Sequence, residues 1–113
     1  MTEETARDAY YYAPQQEANL AKKVGGRVTP GSGNKQEKGD VRKKGVCRIE
    51  CKATSKKSFS VTKEMLHKIE NAALPAGEIP LIQVDFLNEY GRVARSCCVL
   101  PMEFLDLVCD VSE

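Results

Sequence analysis

Residues 39–54 read GDVRKKGVCRIECKAT, and this stretch decides the fold. Polar and apolar residues alternate from Val46 to Thr54, which predicts a strand with one buried face and one solvent-exposed face. The row predicted to be buried contains Cys47, Ile49, Cys51 and Ala53. The row predicted to face solvent contains Val46, Arg48, Glu50, Lys52 and Thr54. A shorter strand over Asp40 to Lys43 precedes it, with a turn around Lys44 and Gly45.

The length of this turn decides which residue lies opposite Asp40. A three-residue turn over Lys44 to Val46 pairs Asp40 with Glu50, with their Cβ atoms ~4.5–5.5 Å apart. A two-residue turn pairs Asp40 with Ile49 instead and sends the two carboxylates to opposite faces of the sheet. Carboxylates at the closer spacing repel each other unless a cation lies between them, and Mg²⁺ is a hard cation that takes oxygen ligands.

Lys52 lies two residues after Glu50, so both side chains project from the same face of the strand. Beside a divalent ion, this ammonium group would polarise the attacking water or stabilise charge on a phosphate. A divalent ion also lowers the pKa of its bound water, which supplies a nucleophile near neutral pH. The three side chains therefore suggest hydrolysis of a phosphodiester.

Helices and strands are predicted on both sides of this hairpin. A helix over Pro14 to Val24 ends at Gly25 and Gly26, and a short strand follows at Arg27 to Thr29. Thr62 caps a second helix that runs to about Ala73. The remaining predicted elements are strands at Ile79–Leu87 and Arg92–Leu100 and a short helix at Pro101–Val108.

These elements predict an α/β fold with a central mixed five-stranded sheet flanked by helices, in the order α-β-β-β-α-β-β-α. The 113 residues suffice for one domain, predicted at residues 14–113 after a flexible N-terminal arm at residues 1–13. With no apolar run long enough to span a membrane and no signal peptide, we expect no membrane contact and an intracellular, cytoplasmic location.

Charge is unevenly distributed along the chain. Residues 1–16, 17–68 and 69–113 carry net charges of −2, +9 and −6. The basic middle segment predicts a surface that meets a polyanion, with a solvated lysine-rich surface as the alternative. The candidate phosphate contacts in this segment are Lys35, Lys38, Arg42, Lys43, Lys44, Lys56 and Lys57.

The five cysteines are an odd number, and no CxxC pair occurs, which favours a reducing compartment. Cys47 and Cys51 are separated by roughly 13 Å along a strand and cannot chelate one ion together. Most of the cysteines are expected to fill the core as small apolar residues.

Gly39-Asp40 followed by Glu50-Cys51-Lys52 resembles the PD-(D/E)XK nuclease signature, with Gly39 where the motif usually has Pro. Residues 27–33, RVTPGSG, are similar to the arginine and Gly-Ser-Gly loop of archaeal-type Holliday junction resolvases and small phage nucleases. Glu17, ten residues before Arg27, matches the acidic residue that this family carries on its first helix.

The resemblance implies a restriction-endonuclease-like fold with Asp40, Glu50, Lys52 and Glu17 as catalytic residues. It implies a Mg²⁺ or Mn²⁺ site made by Asp40, Glu50, the Cys51 backbone carbonyl and Glu17. Arg27 and Ser32 would contact the DNA backbone or support the site, and the residues assigned to DNA binding are completed by Lys35, Lys38, Lys56 and Lys57.

The resulting hypothesis is a metal-dependent DNA endonuclease, with a homodimeric Holliday junction (branched DNA) resolvase as first choice and a phage or nucleoid-associated setting. The alternatives are a nicking or duplex-cleaving nuclease of a phage or mobile element, a non-catalytic DNA-binding module, and an RNA nuclease. The dimer interface would use Val99, Leu100, Phe104 and Leu107, for which core packing is the competing role.

Overall fold

A single mixed sheet carries the hairpin that the sequence analysis singled out. The structure is a computed structural model, and it describes residues 3–29 and 40–109. Its elements, in chain order, are α1 (Glu3–Val24), β1 (Arg27–Val28), β2 (Val41–Lys43), β3 (Cys47–Thr54), α2 (Lys63–Ala73), a 3₁₀ turn (Leu74–Ala76), β4 (Ile79–Leu87), β5 (Val93–Val99), a second 3₁₀ turn (Met102–Phe104) and α3 (Leu105–Cys109).

The strands lie in the order β1-β2-β3-β4-β5. β3 and β4 are parallel, and the other three neighbouring pairs are antiparallel. The parallel pair requires a crossover between its strands, and α2 supplies it. The predicted α/β class, the five-stranded mixed sheet and the order of its elements are therefore confirmed.

The β2–β3 hairpin has the three-residue turn. Val41 pairs with Ile49 and Lys43 with Cys47, which leaves residues 44–46 as the turn. Gly45 has φ of +76°, a left-handed conformation that glycine adopts without strain. The backbone N–H of Val46 donates to the Lys43 carbonyl at 2.9 Å and closes the turn. The alternative two-residue turn is wrong.

Helices cover both faces of the sheet. On one face, Leu20 and Ala21 of α1 pack against Val41, Cys47 and Ile49. On the other face, Ile69 of α2 packs against Ile82 and Val84 of β4, and several half-buried apolar side chains surround them. The α1 face is thus the one that holds the predicted apolar row of β3.

The prediction that the second row of β3 faces solvent is wrong in part. Arg48 and Thr54 are buried, and Glu50 and Lys52 are half-buried. The parallel register places Glu50 beside Ile82 and Lys52 beside Val84, so this row lies on the face that α2 covers. The alternation of polar and apolar residues predicts which residues share a face of the strand. It does not predict whether a helix covers the face that carries the polar residues.

The helix boundaries differ from prediction at one end of the chain. α1 begins at Glu3 and runs through Pro14, where a start at Pro14 had been predicted. The Tyr12 hydroxyl donates to Asp85 at 2.6 Å and ties the turn before Pro14 to the sheet. The division into an arm at residues 1–13 and a domain at residues 14–113 stays a prediction. At α2 the prediction is confirmed, since the Thr62 side chain accepts from the Met65 N–H at 3.2 Å.

A buried carboxylate joins the β2–β3 hairpin to the start of β4. The Glu78 side chain is fully buried and accepts from Arg42 Nε at 2.7 Å, from Arg48 Nε at 2.9 Å and from the Gly45 N–H at 3.0 Å. Burial raises the pKa of Glu78, but the Gly45 N–H and the two guanidinium groups outweigh it, and the pKa lies below its usual range.

Replacing this carboxylate tests how strongly it holds the hairpin. Glu78→Gln removes the buried negative charge that pairs with Arg42 and Arg48, so the free energy of unfolding should fall by about 3 kcal/mol at neutral pH. Because the pKa of Glu78 is lowered in the folded state, the difference should narrow as pH falls below about 4. Urea unfolding at several pH values measures this difference in the free energy of unfolding.

Glu89→Gln is the control, because Glu89 is exposed in the turn between β4 and β5 and should change stability by less than about 0.5 kcal/mol. A loss in Glu78→Gln no larger than that of the control would contradict the structural role of Glu78.

Candidate active site

Hydrogen bonds to Thr29 and to β3 hold Asp40 directly before the first residue of β2. Its N–H donates to the Ile49 carbonyl at 2.8 Å, and its carbonyl accepts from the Thr29 N–H at 2.9 Å. Its side-chain Oδ2 accepts from the Cys51 N–H at 2.8 Å. The paired register of the hairpin ends with Val41 opposite Ile49, and Asp40 is the residue directly before Val41. The carboxylate therefore lies against the backbone of Glu50 and Cys51.

Glu50 and Lys52 form an ion pair on the α2 face of β3. Lys52 Nζ lies 3.4 Å from Glu50 Oε2. The Lys52 side chain is 38% exposed and the Glu50 side chain is 19% exposed. The pair is therefore partly shielded from water but still accessible to a ligand. A half-buried pair of this kind is less screened by water than one on an open surface.

Glu17 of α1 faces the same acidic pair. The pKa of its carboxyl is raised by burial, and also by the charges of Asp40 and Glu50. The neighbouring Gln16 fixes this part of α1, because its Nε2 donates to the Lys52 carbonyl at 2.8 Å. Among the four predicted catalytic residues, Glu50 and Lys52 are in direct contact. Glu17 is linked to Asp40 and Glu50 through charge alone.

The sequence analysis missed Gln16. It lies one helical turn before Leu20, on the face of α1 that packs against the sheet, and it is buried. A polar residue at an inward helical position was the available signal.

The carboxyl of Glu50 is under opposing influences. Burial raises its pKa, the charge of Asp40 raises it further, and Lys52 and Lys68 lower it by less. A carboxylate with a raised pKa next to two others favours any ligand that brings positive charge. Lys52 supplies one such charge, and a divalent cation would supply two more.

Within residues 3–29 and 40–109, no set of three or more His, Cys, Asp or Glu side chains is arranged to hold a metal ion. Mg²⁺ sites commonly use one or two carboxylates and complete the shell with water and substrate phosphate. The oxygen donors of Asp40, Glu50 and Glu17, together with the Cys51 carbonyl, match the chemistry that such an ion requires.

The predicted DNA-binding residues fall in two places. Arg27 is exposed at the start of β1, and Lys56 and Lys57 are exposed directly after β3. Ser32, Lys35 and Lys38 lie outside the described residues. Of the other basic candidates, Arg42 donates from Nε to the buried Glu78.

Two other groups of side chains also differ from expectation. Cys47 is buried as predicted, but Cys97, Cys98 and Cys109 are exposed and do not fill the core. In the last helix, Leu107 is 52% exposed, so core packing is wrong for it, whereas Val99 packs against the core beside α2. Among the helices that the structure describes, none has the length and hydrophobicity to cross a bilayer.

Comparisons with protein-family models, with curated proteins and with solved structures found no match to this chain. The site therefore has to be judged by its own geometry.

Neutralising Glu50 should stabilise the protein. Because the folded-state pKa of Glu50 is raised, its charged form costs folding free energy at neutral pH, and Glu50→Gln should unfold at a higher urea concentration. The gain should be absent below the unfolded-state pKa of about 4.3 and appear as pH rises through the folded-state pKa. Urea unfolding of the wild type and of Glu50→Gln between pH 3 and pH 8 measures this gain in stability.

Glu103→Gln, at an exposed position before α3, should show no such pH-dependent gain. If Glu50→Gln is less stable than the wild type at neutral pH, the crowding of carboxylates described above is wrong.

Proposed function

We propose that this protein is a metal-dependent DNA endonuclease of the restriction-endonuclease-like fold, and that Asp40, Glu50 and Lys52 form a PD-(D/E)XK site. The observation that carries the proposal is the position of Asp40, whose side chain bonds the Cys51 N–H while Glu50 pairs with Lys52. Glu17 adds a third carboxylate from α1.

Asp40, Glu50 and the Cys51 backbone carbonyl would hold Mg²⁺ or Mn²⁺, with Glu17 completing the set. The bound ion would supply Lewis-acid stabilisation of phosphate charge and a water of lowered pKa. The carboxylates contribute by being fixed before substrate arrives: Asp40 by the Cys51 N–H, and Glu50 by its strand and by Lys52. Such preorganisation avoids a cost of reorganisation during the reaction.

Lys52 orients the nucleophile and stabilises the charge that develops on the phosphate. Its side chain is 38% exposed, so a ligand can approach it from solvent. The Gln16 amide holds the Lys52 carbonyl at 2.8 Å and limits movement of the backbone that carries this group.

Branched DNA is the substrate that we propose, and a homodimer is the active form. Two opposed strands of a junction have to be cut, and a two-fold dimer brings two sites to them. The apolar residues of the C-terminal segment support a self-associating surface, since Met102, Leu105 and Leu107 are 77%, 40% and 52% exposed.

A panel of substrates tests the proposal. Four-way junction, nicked duplex, duplex and single-stranded DNA and a matching RNA are incubated with the protein and Mg²⁺ or EDTA. We expect Mg²⁺-dependent cutting of the junction. Cutting of duplex DNA alone would favour a nuclease of a mobile element. Cutting of RNA would favour an RNA nuclease, and binding without cutting would favour a DNA-binding module.

Glu50→Gln and Lys52→Ala should each lower the rate of cutting by about 10²-fold or more. The first removes a carboxylate that would hold the metal ion, and the second removes the ammonium group that stabilises charge on the phosphate. Their affinity for DNA should change little, as measured by fluorescence anisotropy in EDTA. Glu103→Gln and Lys63→Ala change the same charges at exposed sites and should cut like the wild type. Normal cutting by either site variant would overturn the assigned roles.

A further inference from the structure

A basic groove lies on the same face of the sheet as Lys52, beyond the end of β3. It has a cavity volume of about 560 Å³ and is open to solvent. Its floor contains Phe86 and Leu87 of β4, and its rim contains Lys56, Lys57 and Arg95.

The groove has an excess of positive charge. None of its lining residues is acidic. In the described part of the chain, none of the acidic side chains forms an ion pair with Lys56, Lys57 or Arg95. Three cations around one cavity without a counter-charge repel one another, and an anionic ligand relieves that repulsion.

Hydroxyl groups accompany the cations. Ser55 Oγ is buried at the groove and has no hydrogen-bond partner. An unpartnered buried hydroxyl costs free energy, and an acceptor oxygen on a ligand would satisfy it. The Lys56 N–H donates to Thr54 Oγ1 at 3.1 Å, which fixes the turn that carries the lysines.

The sheet register connects this groove to the candidate active site. Lys52 lies in one row with Val84 and Cys97, and the next row along the same face contains Phe86 and Arg95. Two strand spacings and two residues separate Lys52 from Arg95 at the backbone, roughly 12 Å. That distance equals about three or four base-pair rises along the axis of a duplex.

We infer that this groove binds a backbone phosphate of the nucleic-acid strand that passes Lys52, with Arg95 and Lys57 as its charged contacts and Ser55 as a hydroxyl donor. The groove's preference for phosphate rests on its own charge and hydroxyl groups. Its assignment to a nucleic-acid strand rests on the proposed nuclease function.

The salt dependence of binding tests the inference. Affinity for a fluorescent single-stranded oligonucleotide and for a four-way junction is measured in EDTA, so that no cutting occurs. The double variant Lys57→Ala/Arg95→Ala should bind at least about tenfold more weakly. The slope of log affinity against log salt should fall by about 0.7 for the single strand, since the groove neutralises one phosphate.

Lys22→Ala is the control for charge, because Lys22 is exposed in the last turn of α1, away from the groove. It should leave both affinity and slope nearly unchanged. Thermal unfolding of each variant checks that exposed substitutions leave the fold intact.

The thiols of Cys97 and Cys98 report where the oligonucleotide binds. Cys97 lines the basic groove and also a second groove beside Gln16 and Leu20 of α1, whereas Cys98 lines only the second groove. Alkylation of Cys97 should slow when the oligonucleotide is bound, and alkylation of Cys98 should not. The single variants Cys97→Ser and Cys98→Ser assign the two reactions.

The outcomes separate this inference from the proposed function. If the wild type cuts DNA but the double variant keeps the wild-type affinity and salt slope, the groove inference is wrong and the nuclease stands. If no substrate is cut but the double variant loses affinity and Cys97 is protected, the groove stands and the nuclease is wrong. Displacement of the oligonucleotide by equimolar inorganic phosphate would overturn the nucleic-acid assignment.

Discussion

The hydrogen bond from the Cys51 N–H to Asp40 Oδ2 is the contact on which the candidate site depends. It attaches a carboxylate from the end of one strand to the backbone between Glu50 and Lys52 on the next. The three-residue turn makes this possible, since a slip of one residue would send Asp40 to the opposite face. The buried Glu78, bonded to Gly45 and to both strands through Arg42 and Arg48, holds that same turn.

Much of the fold was predictable because local chemistry and tertiary packing agree. The alternation in β3, the left-handed Gly45 in the turn and the Thr62 cap of α2 each act within a few residues. Such local signals survive folding when the packing does not oppose them. The sequence left two turn lengths open for the position of Asp40, and the structure has the three-residue turn.

What could not be predicted depends on contacts between distant residues. Arg48 looks like a solvent-facing residue until Glu78, thirty positions later, is placed against it. Tyr12, which precedes Pro14 in α1, donates to Asp85 on β4, and a proline rule cannot anticipate such a distant contact. Gln16 enters the site only because α1 crosses β3. The partly covered face of β3 likewise follows from where α2 packs.

The site combines repulsion among carboxylates with one ammonium group, and the central claim is that a divalent cation binds there. Titration with Mn²⁺, followed by paramagnetic broadening of amide NMR signals, tests this most directly. The account predicts that broadening is strongest at Asp40, Glu50 and Cys51 and is lost in Glu50→Gln. Equal broadening at exposed carboxylates such as Glu103 and Asp106, or the same pattern in Glu50→Gln, would contradict it.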